Sequence, residues 1–184
     1  MSFSNSPYYG SIMQTQNFMY VDIQRCIDLH NLKLKGKRIG APNFLIAVAL
    51  SCYTEYWGKL VLGLSRERDV SRKCYEEFFK RLGNMYKANP YKVLLDKGVP
   101  IYEDIRCGLV HSYGAARGYS VILDNGNEPS GICYDEIKDH FAFNVVTYFK
   151  DFRNAVNDYI NGLGTGKESI LRLNNAMKGK PLII

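Results

Sequence analysis

Between Pro42 and Leu64 apolar side chains fall on every face of a helical projection. Phe44, Leu45, Ile46, Val48, Leu50, Tyr53, Trp57, Leu60 and Val61 leave no broad polar stripe to meet water. A helix that is hydrophobic nearly all round has to be enclosed by other elements, so this segment is expected to be the central core helix. Pro42 suits its first turn, where a missing N–H costs nothing. Glu55 and Lys59 interrupt the run well short of the ~20 apolar residues that a membrane span needs, so a transmembrane reading is set aside. A chain of 184 residues has room for one domain built around such a core.

The remaining segments read as partners of that helix. Residues 1–16 are polar and rich in Tyr and Ser, and are expected to form a flexible N-terminal segment. They have neither the basic start nor the apolar stretch of a signal peptide. Residues 17–184 read as a single helical domain. Within it, residues 17–32 carry Phe18, Val21, Ile23, Ile27 and Leu29 at loosely helical spacing, and Lys33 to Arg38 reads as a basic loop around Gly36. Residues 71–85 form an amphipathic pattern with Cys74, Phe78, Leu82 and Met85 on one side. Asn89-Pro90 breaks it, residues 91–97 hold a short helix at most, and Pro100 opens the next helix.

The period then changes. Residues 119–123 and 131–134 flank Asp124-Asn125-Gly126-Asn127, a pattern that predicts a β-hairpin with its turn at Asn125-Gly126. A long helix is expected over 135–163, with Phe141, Val145, Tyr148, Phe149, Phe152, Val156, Tyr159 and Ile160 as its apolar stripe, and a last short helix over 168–177. The expected fold class is therefore all-α: a helical bundle with one β-hairpin inserted between the helix opened by Pro100 and the long C-terminal helix. Gly162, Gly164, Gly166 and Lys167 superficially suggest a phosphate loop, but no strand precedes them and the Walker spacing is missing. Five scattered cysteines include no Cys-x-x-Cys pair and no zinc-ligand spacing, so reduced thiols in a cytoplasmic protein are expected, with no metal and no cofactor.

Chemistry concentrates in Arg106-Cys107-Gly108-Leu109-Val110-His111-Ser112-Tyr113, at the end of the helix opened by Pro100. An arginine that holds a phosphate and an imidazole that moves protons are what a metal-free RNA-cleaving enzyme needs. Arg106 and His111 are five residues apart, roughly 140° of helical rotation, so they do not share a face and a second element or subunit has to complete the site. Gly114 is a plausible helix stop, which would leave His111 in the final turn, where the helix dipole favours imidazolium. The structural alternative pairs Arg106 with Asp104 or Glu103 or has it cap its own helix end, leaves His111 as a terminal histidine and makes Tyr113 a packing aromatic. A formal net charge of +6 is compatible with an anionic partner, and Lys33, Lys35, Lys37 and Arg38 are the residues expected to meet RNA phosphates, unless they form an ordinary solvated loop.

The Arg-x4-His-x-Tyr spacing resembles the signature of HEPN domains, small all-helical proteins that include many RNases. The resemblance implies a homodimer joined near the motif helices and a catalytic pair of Arg106 and His111. In HEPN toxins paired with MNT nucleotidyltransferases, the motif tyrosine is where the antitoxin attaches nucleotide, which makes Tyr113 the modification candidate here. A toxin–antitoxin or defence role is likewise an implication of the resemblance. The reading from another class is a non-catalytic helical module that binds a protein partner or nucleic acid without cutting it. A small-ligand sensor is a third.

Overall fold

The computed structural model describes residues 2–34, 37–38, 42–64, 70–88, 101–112, 118–135 and 137–178. Within them the apolar run folds as helix α2 (Asn43–Leu62), with Ile46, Ala47, Leu50, Trp57, Leu60 and Val61 closed to solvent. Helix α1 (Tyr9–Asn31) precedes it, followed by a short antiparallel ribbon of β1 (Lys33–Leu34) and β2 (Lys37–Arg38). Helix α3 (Ser71–Phe79) makes the most extensive contact with α2. Gly58 permits that approach, because a Cβ there would lie 1.8 Å from the Cys74 carbonyl oxygen. The chain continues through a 3-10 turn (Lys80–Leu82) and α4 (Asn84–Ala88). A π-helical segment (Tyr102–Cys107) then runs into α5 (Gly108–Ser112).

Three strands follow: β3 (Gly118–Ile122), β4 (Ile132–Asp135) and β5 (His140–Asn144). Their order is β3-β5-β4, so the expected hairpin of 119–123 with 131–134 does not form. β5 lies between them, parallel to β3 (Tyr119 beside Phe141, Val121 beside Phe143) and antiparallel to β4 (Cys133 beside Ala142). The physical reason is in His140-Phe141-Ala142-Phe143-Asn144, which alternates with period two and buries Phe141 and Phe143. Phe141 belongs to the helical stripe expected over 135–163, whereas helix α6 (Val145–Thr165) begins only after the strand. Helix α7 (Ile170–Met177) closes the described chain, with the Ser169 hydroxyl accepting from the Arg172 N–H at 3.3 Å. The fold is mainly helical with a small three-stranded mixed sheet.

Within the N-terminal segment expected over residues 1–16, the structure has a 3-10 turn (Phe3–Asn5) and the first turns of α1, which starts eight residues before the expected position. Phe3 and Ile12 are buried, and the Ser6 hydroxyl donates to Asn174 Oδ1 at 3.1 Å, on α7. Two apolar anchors in a polar stretch are enough to dock it. The core they join is dominated by aromatic edges and faces: Trp57 meets Phe78 and Tyr159, Phe152 meets Phe78 and Tyr53, and Phe143 stacks on Tyr148.

The start of α6 is held from a distance. Asp124, in the loop after β3, accepts from the backbone N–H of Val146 (2.8 Å) and Thr147 (3.3 Å) through Oδ1, while its Oδ2 accepts from the Gly126 N–H (3.0 Å) and the Thr147 hydroxyl. A carboxylate placed there satisfies orphan N–H groups and complements the positive end of the helix dipole. Asp124→Ala is therefore expected to lower unfolding free energy by about 1–2 kcal/mol in urea titration, with Asp124→Asn losing less because its amide oxygen still accepts.

Candidate functional site

Glu55 sits in the middle of α2 with its side chain 7 % exposed, and an ionised carboxylate there has to be compensated. Ser71, the first residue of α3, donates its hydroxyl to Oε1 at 2.7 Å. Lys59, one turn along α2, places Nζ 2.9 Å from the same oxygen. Arg106, from the π-helical segment, brings Nε and Nη2 to Oε2, each at 3.0 Å. The Arg106 guanidinium also lies over the Tyr102 ring, 5.5 Å from its centroid. One carboxylate thus joins α2, α3 and the motif helix.

The electrostatics follow from this arrangement. Burial pushes the Glu55 pKa up, but hydrogen bonds from Ser71 and Lys59 and the charges of Lys59 and Arg106 outweigh burial and leave it below the ordinary carboxylate range. Burial works most strongly on Arg106 and against its charge, but Glu55 together with Tyr102, Cys52 and Cys107 outweighs it, so the guanidinium stays cationic. Two cations on one carboxylate leave the cluster with a net positive charge. Burial pushes the neighbouring Cys52 thiol up despite the opposing pull of Arg106, which makes it a poor nucleophile. Further out, Arg72 bonds Glu76 (2.9 Å) and approaches Glu103 (3.6 Å) at the surface.

Of the residues expected from sequence to carry chemistry, Arg106 is the one whose side chain the structure describes. Its partner is Glu55, not Asp104 or Glu103. His111 lies on α5, with its side chain outside the described residues, and Tyr113 lies outside them altogether. Lys33 pairs with Arg38 and Leu34 with Lys37 in the β1–β2 ribbon, where a loop was expected. Side chains of this ribbon, and Lys35 as a whole, lie outside the described residues.

Sequence reasoning missed Glu55 as a site residue. The signal was present: a carboxylate at the centre of an otherwise apolar helix needs a buried partner. Leu45, Val48, Cys52, Glu55 and Lys59 recur at three- and four-residue intervals and share one face of α2. The N-terminal part of that face borders a groove of about 350 Å³ lined by Pro42, Phe44, Leu45, Val48, Leu109 and Val110. Leu45 is 62 % exposed there, so the groove is apolar, open and built partly by the motif helix. Among the described residues, no helix is long and apolar enough to cross a membrane.

Comparison with protein-family models, with curated proteins and with solved structures gives no match. The resemblance of this chain to HEPN domains therefore stands on its motif.

Because Glu55 is held below its unfolded value, the stability it contributes is complete above the unfolded carboxylate range near about pH 4.3 and drains away as pH falls through the lower folded value. Glu55→Gln should cost about 3 kcal/mol at pH 7, since Arg106 then lacks its counter-charge. Denaturant titrations at stepped pH should find the gap between wild type and variant narrowing below about pH 4. A gap constant with pH would remove Glu55 as the titrating group.

Proposed function

We propose that this protein is a HEPN-like endoribonuclease that cleaves RNA without a metal ion, as a homodimer joined through the motif helices. The observation that carries the reading is the setting of Arg106. It is held through two N–H groups by a buried carboxylate, and it belongs to a cluster with positive charge to spare. A cation set in place before the reaction stabilises a developing anion without reorganising.

In this reading the RNA 2′-hydroxyl attacks the adjacent phosphorus and its proton passes to His111 acting as base. Arg106 stabilises the crowded phosphorane, the bond to the 5′-oxygen breaks, and that oxygen takes a proton from a second acid, for which His111 of the second copy is available. The products are a 2′,3′-cyclic phosphate and a 5′-hydroxyl, and DNA resists because it lacks the 2′-hydroxyl. The dimer is supported by the apolar groove at Leu45, Leu109 and Val110, which lies on the same face of α2 as Glu55. A second copy seated there brings another motif helix close and supplies what one helix cannot, since residues five apart on a regular helix do not share a face. Lys33, Lys35, Lys37 and Arg38 are the proposed holders of backbone phosphates, and Tyr113 the proposed acceptor of nucleotide from a nucleotidyltransferase antitoxin.

A second reading has its own support. Arg106 is 19 % exposed and its ion pair with Glu55 serves packing as well as it serves catalysis. Cys107 also follows it where catalytic HEPN members often carry a polar residue. On that reading the chain is a non-catalytic module that binds a protein partner or nucleic acid.

Labelled single-stranded RNA incubated in EDTA with the wild type, His111→Ala and Arg106→Ala separates the two. Ribonuclease action predicts cyclic-phosphate ends and a loss of at least about 100-fold in rate in each variant. No cleavage by a folded wild type whose intact mass excludes an adduct on Tyr113 would leave the module.

A further inference from the structure

A pocket of about 210 Å³ lies where α6 turns into α7, apart from every residue of the Arg106 cluster. Three cations from different parts of the chain line it: Arg81 from the 3-10 turn after α3, Lys87 from α4 and Lys167 from the turn after α6. Lys167 belongs to the glycine-rich segment that fails as a Walker loop. That segment instead completes α6 and folds back, with the Glu168 N–H donating to the Gly162 carbonyl at 2.9 Å. Gly162 leaves room for the Glu168 side chain as placed, because a Cβ there would stand 2.6 Å from Glu168 Cγ. Lys167 and Glu168 are thereby delivered to the pocket wall.

Tyr159 is the second, independent observation. It lines the same pocket, is 2 % exposed, and its hydroxyl has no hydrogen-bond partner among the described residues. Burial pushes this phenol's pKa up, and the two charges that act on it most strongly, Glu168 and Arg81, are both walls of the pocket. A buried hydroxyl left unpartnered is costly, and an acceptor is the complement it lacks. Arg and Lys side chains add donors only. The carboxylates lining it are Asp158 and Glu168; Arg81 Nη1 engages Glu168 at 2.5 Å, and its Nε lies 3.5 Å from Glu77 of α3.

We propose that this pocket binds a phosphoryl group, which takes Arg81 over from Glu168, accepts from the Tyr159 hydroxyl and draws in Lys87 and Lys167. A phosphate monoester offers three terminal oxygens to these donors and a backbone phosphodiester two, each able to accept more than one hydrogen bond. The volume suits one phosphate with part of its substituent. Displaced Glu168, 18 % exposed, turns to solvent.

The test uses the full chain and three probes at matched ionic strength: 5′-AMP, inorganic phosphate and a 2′-O-methyl oligonucleotide without terminal phosphate. That oligonucleotide cannot be cut by 2′-hydroxyl attack, so the result is independent of ribonuclease activity. Calorimetry should detect 5′-AMP, competed by phosphate, and no binding of adenosine. Competition by the oligonucleotide assigns the site to backbone phosphate, and its absence to free phosphorylated molecules. Tyr159→Phe should weaken binding roughly tenfold while melting no lower than wild type without ligand, since it deletes a hydroxyl that has no partner. Lys87→Glu with Lys167→Glu should weaken it at least as much. Failure of a folded wild type to bind any probe at millimolar concentration overturns the proposal. So does adenosine binding as well as 5′-AMP, or variants that bind as wild type does.

Discussion

A carboxylate in the centre of an apolar helix can stay ionised only if other elements come to it. Glu55 is met by a hydroxyl at the start of α3, a lysine one turn along α2 and an arginine from the motif helix. This meeting decides where the motif helix sits. The segment from Tyr102 to Ser112 is short and irregular, with a π-helical stretch at its start, and its own hydrogen bonds would hold it weakly. Ile101, Ile105 and Leu109 anchor it in the core, and Arg106 fixes its rotation against α2. The same contact positions the cation on which the proposed chemistry rests.

How much of this was legible in the sequence differs by element. The centre was clear: α2 is hydrophobic on nearly every side, and that pattern has one economical solution, enclosure. The C-terminal helices were also clear, since Tyr148, Phe152, Val156 and Tyr159 keep a helical period and α7 falls within the expected 168–177. The sheet was not. Residues 119–123 and 131–134 read as strands with Asn125-Gly126 between them, but the seven residues 124–130 exceed a two-residue turn, and the hairpin gives way to pairing with a third strand. Its five residues, His140–Asn144, sit directly against a long helix, so a helical window absorbs them. Docking of the N-terminal segment was hidden for a related reason: Phe3 and Ile12 are too sparse to make a periodic signal, yet each finds a buried place.

The candidate site divides along the same line. Arg106 could be named from its spacing to His111, because spacing along one helix is a local property. Its partnership with Glu55 spans 51 residues, and local charge pairing pointed instead to Asp104 and Glu103. What a reader of the sequence could have asked is why Glu55 interrupts an apolar helix. The question has an answer only in three dimensions, but it marks the residue. The proposed pocket at Lys167 shows the reverse case, in which a segment fails every motif test and still carries its lysine to a cation-lined cavity by the path of the fold.

The central claim is that Glu55 and Arg106 act as one unit. A double-mutant cycle with Glu55→Gln, Arg106→Gln and the pair, read by urea unfolding at pH 7, tests it most directly. A coupling of about 2 kcal/mol is predicted, with the double variant far more stable than the sum of the single losses would allow. Losses that add within about 0.5 kcal/mol would contradict the account, and the motif helix would then owe its position to apolar packing alone.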